Sequence, residues 1–221
     1  VPVPAQVIIV EPAPAVVAEQ PQATVQQALP PAAMLQTPPA PVVQMQPAAP
    51  QGHRANKLVG EAICDAKGEE IGYIHDLVIN RKGEVVHVVL SYGGFLGMGS
   101  RRTSVPFRAL ELGKGRIVYR PTDGKPVEQQ PRFSYRQLTP GKEHRISQLL
   151  QRQVSHSQGE EIGAIDDFII GPEGQIREAI LSVGDKRVAV PFQELRITGD
   201  DHIITELPRG TLEQRQAFRY E

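Results

Sequence analysis

The chain has 221 residues, with 24 Lys and Arg against 25 Asp and Glu and a formal net charge of −1. That length holds one medium domain or two small ones, and the charge balance excludes a nucleic-acid coat or a polybasic membrane anchor. A single cysteine, Cys64, excludes an intramolecular disulfide; in the apolar-alternating stretch AICD it reads as a small buried hydrophobe.

The N-terminal segment stands apart. Residues 1–50 hold 12 of the 20 prolines, no glycine, no aromatic residue, and only Glu11 and Glu19 as charges. Such a stretch cannot bury enough apolar surface to offset chain entropy, so residues 1–54 are expected to form a disordered Pro/Ala/Gln-rich arm. Its one apolar run, VIIV at Val7–Val10, is far too short to span a bilayer and reads as a sticky patch. The chain starts at Val1 without a Met, and a tether of this kind suits a mature exported, periplasmic protein whose signal peptide is gone. A cytoplasmic setting is the alternative.

From residue 56 the pattern changes to short β-branched runs separated by turns. LVGEAICD is the first predicted strand, and Asp65-Ala-Lys-Gly68 follows as a type I turn with a side-chain acceptor first and glycine fourth. IGYIHDLVIN, the turn Asn80-Arg-Lys-Gly83 and EVVHVVLSY then read as a hairpin. Strands such as VVHVVL are apolar on both faces, which suits a barrel whose outer side is covered, with the partner unit as the candidate cover. The loop YGGFLGMGSRR (Tyr92–Arg102) leads into the strand RTSVPF, a Pro-Phe-x-x-Leu helical turn, and the strand GRIVYR. Val127–Tyr135 is a helical or extended tail that packs back with its aromatic residues.

A polar linker at 136–146 is followed by a second copy. GEEIGYIHDLVI (Gly68–Ile79) and GEEIGAIDDFII (Gly159–Ile170) align at an offset of 91. Further on, SVPFRAL (Ser104–Leu110) aligns with AVPFQEL (Ala189–Leu195), and VEQQPRFSY with LEQRQAFRY, at an offset of 85. The six residues lost between these offsets fall in the glycine-rich loop, which the second copy replaces by VGDKRVA. Repeats of this kind point to two units, 56–135 and 147–221, whose apolar faces can pack together. Residues 56–120 carry 10 basic and 7 acidic residues (+3), and residues 149–221 carry 8 and 13 (−5), so opposite charge can assist that docking.

On these residues the sequence resembles the PRC-barrel domain, the small β-barrel of the photosynthetic reaction-centre H subunit and of ribosome-maturation factors. The matching marks are the Gly-Glu-Glu-Ile-Gly turn-and-strand, the acid at Asp76, the GGFLGMG loop and the Val-Pro-Phe step. The resemblance implies a mainly β fold, two tandem small barrels after the arm. It also implies a protein-interaction and assembly module without catalytic residues, and without a cofactor.

Chemistry-bearing patterns are few. Gly94-Phe-Leu-Gly-Met-Gly99 has the glycine spacing of a phosphate-binding loop, but Ser100-Arg101 stands where Lys-Ser/Thr is needed and a strand follows where a helix is required. The loop therefore reads as a strand connection whose apolar tip covers the barrel mouth or meets a partner. Gly93, Gly94, Phe95, Leu96, Met98, Arg101, Arg102 and the nearby Arg108 are the candidate partner-binding residues. A metal reading would rest on His75, His87 and Asp76, but no ligand-type spacing exists and the second copy carries Asp166 and Glu178 at the histidine positions, so a solvated polar face is expected. Asp166 and Asp167, as strand neighbours, should point to opposite faces. Basic residues of the first unit (Arg101, Arg102, Arg108, Lys114, Arg116, Arg120) leave an RNA- or ribosome-associated factor as a rival, though nucleic acid is not the favoured partner. A metal- or cofactor-carrying subunit is the other rival.

Overall fold

The computed structural model describes residues 52–93, 99–113 and 115–220. The expectation of a disordered arm at 1–54 therefore lies almost wholly outside the described residues. The described residues belong to one compact unit, in which two curled sheets repeat one plan.

The first repeat opens with β1 (His53–Arg54) and a single turn, α1 (Ala55–Leu58). Next come β2 (Ala62–Cys64), β3 (Glu70–Asn80), β4 (Val85–Tyr92), β5 (Arg101–Val105), β6 (Leu110–Gly113) and β7 (Arg116–Tyr119). The second repeat has β8 (Glu143–Arg145), α2 (Ile146–Leu149), β9 (Gln153–His156), β10 (Glu161–Ile170), β11 (Ile176–Val183) and β12 (Lys186–Pro191). It ends with β13 (Leu195–Ile197), β14 (Ile203–Thr205) and α3 (Arg209–Gln214). One sheet runs β5-β4-β3-β2-β7-β6 and the other β12-β11-β10-β9-β14-β13, with β2–β7 and β9–β14 parallel and the remaining pairs in these paths antiparallel.

Turn chemistry sets the hairpins. Asn80 Oδ1 accepts from the amides of Lys82 (2.9 Å) and Glu84 (3.0 Å), while Gly83 N–H donates back to Asn80 O at 3.0 Å. Asp65 does the same for Lys67 and Glu69, and the Glu69 amide in first place holds its carboxyl below the usual carboxylate range. The Pro-Phe steps form the expected short helical turns, as 3-10 segments at Phe107–Ala109 and Phe192–Glu194.

The leads of the two repeats cross over. β1 pairs with β10 of the second sheet (His53 opposite Ile170, Arg54 opposite Ile169), and β8 pairs with β3 of the first (Val78 opposite Arg145, Ile79 opposite His144). Strands β3 and β10 are long enough to pair with their own β2 or β9 at one end and with the other repeat's lead at the other. The turn tips are exchanged as well. Val85 N–H donates to Gly174 O at 2.7 Å and Ile176 N–H to Gly83 O at 2.8 Å, joining the two hairpins across a local two-fold relation.

This exchange explains strands that are apolar on both faces. Ile74, Leu77, Ile79, Val88 and Leu90 point into one continuous core with Ile165, Phe168, Ile170, Leu181 and Val190. Val78, Val89, Ile169 and Ile180 face the other way, yet all are 2 % exposed or less. The crossing leads cover those outer faces, with α2 packed on β3 and α1 on β10. The tails fold back as expected: Val127 and Leu212 are buried, Phe133 N–H donates to Arg102 O, and Phe218 N–H donates to Arg187 O.

Candidate functional site

Each outer face is organised around a buried aspartate at a β-bulge. The β3–β4 register slips between Ile74 and Asp76, and the β10–β11 register slips between Ile165 and Asp167. The extra residue in each bulge is His75 or Asp166. Asp76, fully buried, accepts from Arg145 Nε (2.7 Å), Ser147 Oγ (2.6 Å), Ser147 N–H (3.1 Å), Leu77 N–H (2.9 Å) and Tyr135 Oη (3.3 Å). Asp167 repeats the arrangement, accepting from Arg54 Nε (2.7 Å), Asn56 N–H (2.9 Å) and Phe168 N–H (2.8 Å). Tyr135 and Tyr220 close the two clusters from the tails, with Arg145 and Arg54 stacked 3.8 and 3.4 Å over their rings. Buried charge is tolerated because every carboxylate is paired and hydrogen-bonded. Each cluster therefore ties together a long strand, its own tail and the other repeat's lead.

Asp166 and Asp167 were expected on opposite faces. The bulge overturns this: Tyr220 Oη donates to Asp166 Oδ2 at 2.6 Å while its ring carries Arg54, the partner of Asp167. Both acids thus meet one tyrosine–arginine pair, and Asp166 also accepts from Arg187 at 2.9 Å.

Burial, reinforced by the Asp76 carboxylate, pushes the Tyr135 phenol up to about 12, and burial with the hydrogen bond to Asp166 pushes Tyr220 up as well. The folded state then favours the protonated phenols. Their contribution to stability is present below pH about 10, the unfolded value, and is lost as the pH rises through the folded values. In an alkaline absorbance titration, Tyr135→Phe is expected to remove a phenol that ionises near pH 12. An undiminished absorbance rise near pH 12 in the variant would contradict this placement.

The sequence-predicted partner residues divide into three groups. Gly93 leaves β4 in a left-handed conformation (φ +66°), which suits the start of a tight connection; Gly94, Phe95, Leu96 and Met98 lie outside the described residues. Arg101 and Arg102 open β5 opposite Tyr92 and Ser91, both exposed, and Arg102 sits 5.8 Å from the Tyr135 ring centre. Arg108 is exposed too, but at the other end of β5, roughly 17 Å of strand away from Arg101.

What lies beside Arg102 is a chain of rings. Tyr73 meets His75 (6.4 Å between centroids), His75 meets Tyr135 (6.2 Å), Tyr135 meets Phe133 (5.4 Å), and Phe133 meets His87 (5.4 Å). Tyr73 is 40 % exposed, the one large hydrophobic among the described residues so open to solvent. Burial first, then Arg102, pull the His75 imidazole below its ordinary value, so it is neutral at pH 7. The aromatic pair Phe133–Tyr135 separates His75 from His87, whose Nδ1 shares a hydrogen bond with Ser104 Oγ at 2.7 Å. The expected solvated polar face is therefore half-buried beneath aromatic residues. Among the described residues no three His, Cys, Asp or Glu side chains come together in a metal-holding group.

The PRC-barrel domain family model matches residues 50–125 and again residues 141–212. The chain belongs to the PRC-barrel family. No curated protein matches it. PRC-barrel domains are generally interaction and assembly modules and are typically non-catalytic. Each match includes the lead strand that crosses to the other sheet, so a PRC-barrel repeat in the sequence differs from a PRC-barrel sheet in space by one exchanged strand. No helix among the described residues is long and apolar enough to cross a membrane.

Arg54, Arg145, Tyr135 and Tyr220, which organise the two aspartate clusters, escape motif reasoning because none belongs to a catalytic or ligand pattern. The repeat itself carries the missing signal: Arg54 and Arg145 recur at the offset of 91, and Tyr135 and Tyr220 at 85.

Proposed function

We propose that this chain is a non-enzymatic protein-interaction and assembly module, an accessory or scaffold protein that docks a protein partner through the rim of its first PRC barrel. The observation that carries this reading is the exposed Tyr73, stacked into the ring chain of His75, Tyr135 and Phe133 with Arg102 alongside. At the positions of Tyr73 and His75 the second barrel has Ala164 and Asp166, while Phe218, Tyr220 and Arg187 repeat the other three, and it lacks the glycine-rich insertion. Exposed tyrosine beside arginine is the composition that anchors protein interfaces. The Pro- and Ala-rich first fifty residues suit a spacer in an exported protein, a setting that cell fractionation tests.

Deletion of Phe95–Gly99, and separately Tyr73→Ala with Arg102→Ala, is expected to abolish affinity capture of the partner while leaving the thermal midpoint within a few degrees. A large loss of stability in the loop deletion would assign those residues to the core. Capture that survives both variants would remove the rim from the interface. Binding to RNA that collapses as salt rises would replace the protein partner by nucleic acid.

A further inference from the structure

The two outer faces are related by the repeat, but among the described residues only one is closed at its far end. On the first barrel, His87 Nε2 lies 3.6 Å from Glu143, and the buried His144 pairs through Nδ1 with Asp201 at 2.6 Å. Arg81 donates to Gly141 O, and Gly141 abuts Gly199, so the turn between β13 and β14 is pressed against the lead. The matched positions on the second barrel invert or delete these groups. Glu178 stands for His87, Gly52 for Glu143 and His53 for His144, while the matched turn after β6 reads GKGR and offers no acid for His53.

Among the described residues this leaves an open groove of about 1400 Å³ on the second barrel. Its floor is one row across the sheet, Arg54–Ile169–Glu178–Pro191 in register. Lys57 on α1, Arg116 at the start of β7 and Arg219 on the C-terminal tail stand on three of its walls. All three are exposed and none is ion-paired to a described residue. Two acids, Glu61 and Glu178, line it as well.

We propose that this groove is a second binding site, which takes an extended acidic segment of a protein partner. Lys57, Arg116 and Arg219 offer charge-assisted contacts to carboxylates, and the half-buried Leu112 and Phe218 offer apolar surface between them. Glu178 decides between a peptide and a simple anion. Burial raises its carboxyl and no described residue donates to it. A peptide backbone supplies N–H donors to Glu178 while its side chains meet the cations, whereas an inorganic anion would only be repelled there. The proposal adds to the interaction-module reading and uses none of the rim residues of the first barrel.

The test is fluorescence polarisation of the full chain with a fluorescein-labelled peptide of alternating Glu and Leu, against its Lys-Leu counterpart. The acidic peptide is expected to bind at least tenfold more tightly, a gap of about 1.4 kcal/mol. Arg116→Asp with Arg219→Glu is expected to weaken it at least tenfold without moving the melting temperature, and Lys57→Glu to weaken it from a different wall. Tyr73→Ala with Arg102→Ala should leave peptide affinity unchanged. Equal binding of the two peptides, no binding of the acidic one, or wild-type affinity in the groove variants overturns the proposal. Loss of peptide binding in the rim variant assigns the peptide to the rim and also overturns it. Peptide binding that persists when rim variants fail to alter partner capture sinks the rim reading alone.

Discussion

Asp76→Ala is expected to destabilise the protein by about 3–5 kcal/mol, the usual loss when one partner of a buried, hydrogen-bonded charge pair is removed. The carboxylate is fully buried and accepts from Arg145, Ser147, Leu77 and Tyr135, so alanine leaves several donors without an acceptor. Arg145 keeps 26 % of its side chain exposed and can recover some hydration, which pulls the loss toward the lower end. Asp167→Ala should cost less, because fewer groups donate to Asp167 itself and the neighbouring Asp166 takes the tyrosine. Urea denaturation reads both, and the double variant Asp76→Ala/Arg145→Ala should be clearly less damaging than the sum of the single changes. A loss below about 1 kcal/mol for Asp76→Ala would mean that packing alone holds the leads in place.

Gly83→Ala and Gly174→Ala form the second large pair. Both glycines have left-handed backbones, φ +81° and +84°, and a Cβ at either would sit 2.6 Å or 2.8 Å from the ring of Phe192 or Phe107 in the other repeat. A left-handed non-glycine costs roughly 1–2 kcal/mol, and overpacking against a ring held in the core adds about 1–3 kcal/mol. Gly159→Ala separates the two effects, since Gly159 has φ +91° but open space around its absent Cβ, and should show the backbone cost alone. Gly83→Ala combined with Phe192→Leu should recover part of the loss. Melting curves in which Gly83→Ala and Gly159→Ala fall equally would show that the hairpin tip yields without disturbing Phe192.

The strands, their turns and the repeat are legible because they are local. Asn80 and Gly83 four residues apart, or alternation in VVHVVL, report on backbone geometry within one hairpin. Even the covered outer face was readable from apolar residues at both parities of a strand. The partner unit was a readable candidate for the cover, but the segment of it that does the covering was not. That Arg145 belongs to the first sheet and Arg54 to the second depends on where a lead goes after leaving its own repeat, which no periodicity records. The bulge that unites Asp166 with Asp167 fails for a related reason: strict alternation assumes an unbroken ladder, and the slip between Ile165 and Asp167 breaks it. The insertion that one copy has and the other lacks points toward the rim, yet the ring chain there draws Phe133 and Tyr135 from a tail some thirty residues beyond the loop. The groove was invisible for the opposite reason, since it exists through what Gly52 and the turn after β6 fail to supply.

The exchange of leads sets the size of the folding unit. Neither barrel can open while the other keeps its complete sheet, because melting the first releases β1 from β10 and melting the second releases β8 from β3. The two repeats therefore behave as one foldon, with a single cooperative transition shared between them. Free energy gained by a ligand on either barrel is then felt by both, so occupancy of one face protects the opposite half of the chain against local opening and proteolysis.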